Sequence, residues 1–411
     1  MSIHVGIDIG TTKVCTIVAR EEGDGRMRIL GVGIEPSLGI RKGTVVDIAA
    51  ATKAVGFSIE KAERTAGYEI NSARVSLAGS HVSSINSRGV ASVHNQVIDE
   101  DDVLRAMDAA KAVAIPHNRE VIEIIQRGFT VDGQDGIRMP IGMHGYRMEV
   151  EAHIITAAAS TVDNLRQVVG NSGVEVSGFV LNPLASGEVV LTDTEREMGV
   201  VICDIGGGTT DMAIYIEGDV WHTMVLGVGG NHITSDIAHG LRLPFTRAEE
   251  VKINHGHAVT GAVRPDEVFP VRTFGEEEPV EVSRFDLAHI IEARVEEIFA
   301  LMVQEIKRSG YDGLLPAGLV LTGGSSQLTG IRELASEVMG LPCRVARPEN
   351  LIGMVDRLHS PSFSTSVGLV KYAMQMKAVD PTAVVMPKYV PEMRSPINWA
   401  RIKEVLKRIL P

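Results

Sequence analysis

Two short stretches hold the residues best suited to chemistry: Asp8-Ile9-Gly10-Thr11-Thr12-Lys13 and, about half a chain later, Asp204-Ile205-Gly206-Gly207-Gly208-Thr209-Thr210. Each follows one apolar run and precedes another, the pattern of a β-hairpin whose turn is built from small residues. Glycine lets backbone N–H groups approach an anion closely, and threonine hydroxyls add donors. Asp8 and Asp204, at the strand ends, suit a Mg²⁺ ion held through water. One such hairpin is ordinarily only a hairpin. Two copies with the same Asp-Ile-Gly strand end predict a pair of loops closing on a nucleotide's phosphates from opposite sides. A third stretch, LVLTGGSSQLTGI, carries a strand into Gly323-Gly324-Ser325-Ser326 and on into a helix, a shape suited to packing backbone against an adenosine.

The chain that must position these loops has 411 residues, 44% of them apolar, enough for two or three domains. A formal net charge of −12 and 4% aromatic content argue against nucleic acid as a partner. Three widely spaced cysteines, Cys15, Cys203 and Cys343, predict reduced thiols in a cytosolic protein rather than disulfides or a zinc site. The N-terminus opens directly into a strand-like IHVGIDIG, which predicts no signal peptide, and no apolar run is long enough to span a bilayer. A soluble body is expected.

At the three stretches the chain resembles the actin-like ATPase superfamily, in which the two hairpins are phosphate loops and the third stretch is the adenosine loop. The resemblance implies ATP with Mg²⁺ as ligand and extends to other segments. NPLASGEVVL (182–191) is similar to the helix that connects the two halves. GVGGNHITSDIA, with Gly229, Gly230 and Asn231, is similar to the loop that reaches phosphates and sugar. Glu249 and Lys252, one helical turn apart, match a pair that flanks ribose and base in relatives. As a bare pattern that pair reads as a surface ion pair. Relatives often place a glutamine early in the connecting helix to orient the attacking water. Counting back from Leu184-Ala185-Ser186 puts Gly178 there, so the expectation is slow hydrolysis at most, with ATP acting mainly as an assembly ligand.

Residues 81–159 are predicted as a strand (His81 to Val93), a helix (Asp99 to Ala114, acidic in its first turn) and two strands (Val121 to Val131, Arg147 to Ala158). The run PIGMHGYRMEVEAHIIT within it closely resembles the extra subdomain of the FtsA family of bacterial cell-division proteins. The expected fold is therefore α/β, an actin-like two-domain ATPase fold with an inserted small α+β subdomain and a C-terminal amphipathic helix. Its first half comprises 1–80 and 160–195, closed by 352–376, with 81–159 inserted. The second half is 196–351 and includes a partner-binding subdomain at about 231–305.

Other features read as ordinary structure. His255 and His257 lack a third metal ligand and read as a polar loop. Cys203 reads as an inert core thiol. Met139, Met143 and Met148 are expected to fill the inserted subdomain's core. The acidic FGEEEPVEVS (274–283) reads as solvated surface. The helix 285–310 reads as mostly core, although its exposed face with Arg272 and Arg284 could receive a partner's acidic peptide.

The chain finishes with a proline-bearing linker, 377–394, and SPINWARIKEVLKRILP, 395–411. Ser395 suits an N-cap and Pro396 the first helical position. At about 100° per residue, Trp399, Ile402, Val405, Leu406, Ile409 and Leu410 share one arc of roughly 140°. Arg401, Lys403, Lys407 and Arg408 lie outside it. An apolar face containing Trp with basic flanks predicts a helix lying in a membrane interface.

By resemblance, the function expected is that of an ATP-binding protein that polymerises on the cytoplasmic face of the cell membrane at the division site. There it would anchor FtsZ filaments, through the FtsZ C-terminal peptide, beside other division proteins. Two alternatives share the fold. A small-molecule kinase needs a substrate pocket with an aspartate base, and no such motif stands out. A PilM-like pilus-assembly adaptor would not need the basic tail.

Overall fold

A computed structural model describes residues 2–23, 26–275 and 278–375, together with the backbone of Met386–Pro387. The linker and the basic helix expected at 377–411 otherwise lie outside the described residues.

The two Asp-Ile-Gly hairpins begin two sheets of the same plan. In the first, Ile3–Ile9 pairs antiparallel with Lys13–Glu21, which pairs with Met27–Pro36. On its other side Ile3–Ile9 runs parallel to Ser72–Leu77, which in turn runs parallel to Glu175–Leu181. In the second, Val200–Ile205, Thr210–Ile216 and Asp219–Leu226 form the same meander, and Gly318–Thr322 and Cys343–Val345 lie parallel beyond Val200–Ile205. The repeat seen in sequence is thus a repeat of topology. Every residue of Val200–Ile205 and Thr210–Ile216 is buried, which accounts for runs that are apolar without alternation.

Helices cover the faces. Ile48–Ala66 starts at Asp47, whose side chain accepts from the Ala50 N–H, and stops at Gly67 with φ 73°. It lies directly on Met27–Pro36, because a Cβ on Gly33 would sit 1.8 Å from the Ser58 carbonyl oxygen. Asn182–Val190 and Ser364–Gln375 pack against each other between the sheets. Their crossing is so close that a Cβ on Gly368 would meet the Ala185 carbonyl at 1.8 Å. Arg284–Ser309 seals the second sheet with Leu287, Ile291, Val295, Phe299 and Met302. Cys203 faces the Met302 sulfur there at 3.4 Å, an inert thiol in the core.

Residues 83–158 form a separate antiparallel sheet in the order Gln134–Ile137, Arg119–Val131, Arg147–Ala158, Ser83–Ser92, covered by the helix Glu100–Lys111. Gln134–Ile137 was not expected. It is produced by a two-residue turn at Asp132-Gly133, both at positive φ (48° and 87°). Two further expectations need correction. Met148 is buried and Met143 packs on the same core, but Met139 is 77% exposed, on the loop after Ile137. The stretch 274–283 is not all solvated loop, since Val280–Ser283 pairs with Val268–Val271. No helix among the described residues is long and apolar enough to cross a membrane.

Candidate functional site

Both hairpin turns close in the same way. Gly10 N–H donates to the Lys13 carbonyl (3.0 Å) and Gly206 N–H to the Thr209 carbonyl (2.9 Å). The turns meet face to face: a Cβ on Gly207 would come within 2.4 Å of Thr12 Cγ2, and one on Gly208 within 2.5 Å of Thr11 Oγ1. Glycine is required here by close approach rather than by φ. A cavity of about 170 Å³ is lined by both turns, with Asp8, Lys13, Asn182, Asp204, Gly323, Ser362 and Thr365. A second, of about 300 Å³, shares Thr12, Gly207 and Gly324 with the first. It adds Gly230, Asn231, Glu249, Lys252 and Ser325, and the apolar Ile233, Ile253 and Leu328. One compartment is rich in glycine N–H groups and the other has an apolar wall, as the two ends of a nucleotide require.

The first compartment is short of positive charge. Asp8 accepts from the Ser366 hydroxyl (2.6 Å), Asp204 from Thr365 (2.6 Å) and Asp211 from Thr209 (2.9 Å). Burial, and after it the Asp8 charge, push Asp204 up to about 6 despite the Thr365 bond. Burial and then Asp204 hold Asp211 well above the usual carboxylate range. Asp211 Oδ1 and Asn182 Oδ1 are buried with no partner. A nearby cation would favour the charged carboxylates and relieve this arrangement. Among the described residues no three acidic, histidine or cysteine side chains stand close enough together to hold a metal by themselves.

Lys13 Nζ donates to the Ser362 carbonyl and lies 4.7 Å from the centre of the Phe363 ring. Lys252, its pKa lowered by burial, bonds Glu249 (2.6 Å), Thr234 Oγ1 (2.9 Å) and the Gly230 carbonyl (3.2 Å). The Glu249–Lys252 pair is therefore a brace for the loop at Gly230 as well as a wall of the cavity.

Not every residue expected in the site reaches it. Thr210 turns inward to the Val228 carbonyl (2.9 Å), and Ser326 caps the Gly323 carbonyl (2.7 Å). Gly229 is pressed between Gly206 O and Thr209 rather than facing a cavity. Gly178 is misplaced by the counting argument. It lies on the strand Glu175–Leu181, at a bulge beside Arg74, and the connecting helix begins only at Asn182. Its missing side chain therefore carries no information about water or hydrolysis. Asn182, whose amide points to Asp211 (3.5 Å), is the polar side chain at the head of that helix. Asn182, Asp211, Thr365 and Ser366 are the residues that sequence reasoning missed. His255 stacks on Phe269 (4.2 Å) and His257 accepts from the Val259 N–H (3.1 Å), both structural.

Two sheets of one topology, two facing hairpin turns and a helix pair between them define an actin-like ATPase fold. Solved structures agree with this. The PilM–PilN type IV pilus biogenesis complex matches over 90% of this chain and 98% of that one, with a TM-score of 0.63 at 16% identity. MreB5 of Spiroplasma citri bound to AMPPNP matches over 100% and 99%, with a TM-score of 0.54 at 15% identity. At such identities the likeness shows the fold alone. Sequence carries further. The profile of the family described as "Cell division protein FtsA" matches residues 201–368, and that of the "SHS2 domain inserted in FTSA" matches residues 79–156. Cell division protein FtsA of Pseudomonas aeruginosa is 41% identical over 91% of this chain and 90% of its own length. That of Escherichia coli (strain K12) is 36% identical over 90% of each. The chain belongs to the FtsA family of cell division proteins.

Proposed function

We propose that this cell division protein binds ATP with Mg²⁺ in the cleft, assembles on the cytoplasmic membrane through its C-terminal helix, and anchors FtsZ filaments by their C-terminal peptide. The observation that carries the nucleotide reading is the pair of glycine turns facing each other over buried acids. Gly10, Thr11, Thr12 and Lys13 would hold the phosphates from one side, and Gly206, Gly207, Gly208 and Thr209 from the other. Gly323, Gly324 and Ser325 would lie against the adenosine, with Glu249 and Lys252 at the ribose. Asp8 and Asp204 would hold Mg²⁺ through water, and the ion would add positive charge beside Lys13 to a compartment rich in buried acids. ATP bridging the two turns would draw the two halves of the chain together.

For the FtsZ peptide, an acidic segment would meet the region of helix Arg284–Ser309. Arg284 is already bonded to Glu267 (2.6 Å) and to the His255 carbonyl (2.9 Å), so exposed Arg272 is the better candidate of the two. Calorimetry tests the cleft: Asp204→Ala should lose Mg²⁺-dependent ATP binding while keeping its far-UV circular dichroism. Unchanged affinity in that variant would remove the two-turn reading. A pull-down with the FtsZ C-terminal peptide tests the partner.

A further inference from the structure

The inserted subdomain is spliced into the first half of the chain, yet it is fastened to the second. Its edge strand Ser83–Ser92 lies against Asp219–Leu226, the edge strand of the second sheet. The two edges do not share a backbone ladder; side chains join them instead. Ser84 Oγ donates to the Thr223 carbonyl (3.0 Å) and Asn86 Nδ2 to the Trp221 carbonyl (3.4 Å). Residues two apart on one edge thus satisfy carbonyls two apart on the other, as the period of a strand dictates.

His153 completes the contact. Its Nδ1 lies 2.6 Å from Asn86 Oδ1 and its Nε2 2.9 Å from Thr223 Oγ1. An amide oxygen only accepts, so the ring carries its proton on Nδ1 and accepts from the Thr223 hydroxyl. Burial first, then His222 and Arg127, lower the ring's pKa to about 3, so it stays neutral and this one tautomer persists. Arg127 covers the Trp221 ring at 4.0 Å. On its other side the subdomain holds the first half, where Glu120 pairs with Arg166 (2.8 Å).

The far end of Asp219–Leu226 runs straight into Gly227–Asn231, and the Gly230 and Asn231 N–H groups bond the Gly206 and Gly207 carbonyls (2.9 and 2.7 Å). We propose that Thr223, His153 and Asn86 are positioning residues for nucleotide: through this latch the inserted subdomain braces the two halves and holds the loop Gly227–Asn231 against the second turn. The inference rests on nucleotide binding in the cleft. Loosening the latch lets the turns part and nucleotide leave.

The test uses the full chain and the release of a fluorescent ATP analogue with Mg²⁺ by stopped flow. Thr223→Val, which keeps shape and loses the hydroxyl, and Asn86→Ala, at an exposed position, should each release it about fivefold faster or more, the lower end of measured couplings between sites. Thr223→Ser should behave as wild type. Reciprocity requires nucleotide to protect the amides of 83–92 from hydrogen exchange in the wild type, and to do so less in Thr223→Val. Wild-type chain that fails to bind the analogue would overturn the nucleotide reading itself. Wild type that binds, with release from Asn86→Ala unchanged and 83–92 unprotected, would overturn the latch alone, even if Thr223→Val did not fold.

Discussion

Glu123 sits on the inserted subdomain's strand Arg119–Val131 and accepts a hydrogen bond from the Tyr372 hydroxyl of the helix Ser364–Gln375. Its other oxygen is buried without a partner. Burial, with Arg74 pulling the other way and Glu188 adding to it, pushes the carboxyl up to about 7. A carboxyl raised on folding binds its proton more tightly in the native state, so its contribution is greatest below its unfolded value and falls as pH rises through 7. The protein without nucleotide should therefore lose stability relative to Glu123→Gln between about pH 4.5 and 7, by about 3 kcal/mol if the shift acts in full. Urea denaturation of both proteins across that range checks it, and parallel curves would contradict it. Residues such as Asp8 and Asp204 were legible because motif and strand end adjoin. Asp211 directly follows the two threonines and could have been read in the same way. Thr365 and Ser366 could not, since they meet Asp204 and Asp8 across 161 and 358 residues of chain.

At the scale of elements, the helix Glu100–Lys111 shows how the inserted subdomain is held together. Asp99 accepts from the Asp102 N–H (2.9 Å) while Asp102 accepts from the Asp99 N–H (3.1 Å), a reciprocal cap. Asp99→Ala should cost about 1 kcal/mol, read as faster hydrogen exchange over 100–111. Gly89 on the facing strand lets this helix approach, for a Cβ there would stand 2.0 Å from the Ala106 carbonyl and 2.4 Å from the Ala110 nitrogen. Backbone cannot yield as a flexible side chain can, so Gly89→Ala should cost more, about 1–3 kcal/mol. Equal melting temperatures for Gly89→Ala and wild type would mean that the helix has room to shift. Strands and helices with clear periodicity were legible, and so was the repeat. Gln134–Ile137 was missed although its Asp-Gly turn is in the sequence, and Val280–Ser283 was hidden by the acidic residues before it. The meeting of two sheet edges through Ser84 and Asn86, with His153 behind them on the central strand Arg147–Ala158, leaves no periodic trace, because polar side chains on an edge look like solvent-facing ones.

For the whole molecule, the nucleotide cleft, inserted subdomain and basic tail form one device if assembly and membrane attachment depend on each other. If the C-terminal segment lies in a membrane interface as proposed, Lys403 and Lys407, with Arg401 and Arg408, would each gain on the order of 1 kcal/mol near anionic lipid, and ordering that segment would oppose the gain. A single copy should bind weakly, whereas a filament presents many copies at high effective concentration. Lys403→Glu with Lys407→Glu should therefore weaken attachment most on anionic vesicles, with ATP affinity unchanged. The most direct test mixes FtsZ filaments, ATP, Mg²⁺ and anionic liposomes with either wild-type chain or Leu406→Glu, and measures the FtsZ recovered with floated liposomes. The account predicts that FtsZ floats with the wild-type chain and stays behind with Leu406→Glu. Equal recovery of FtsZ with the two proteins would contradict it.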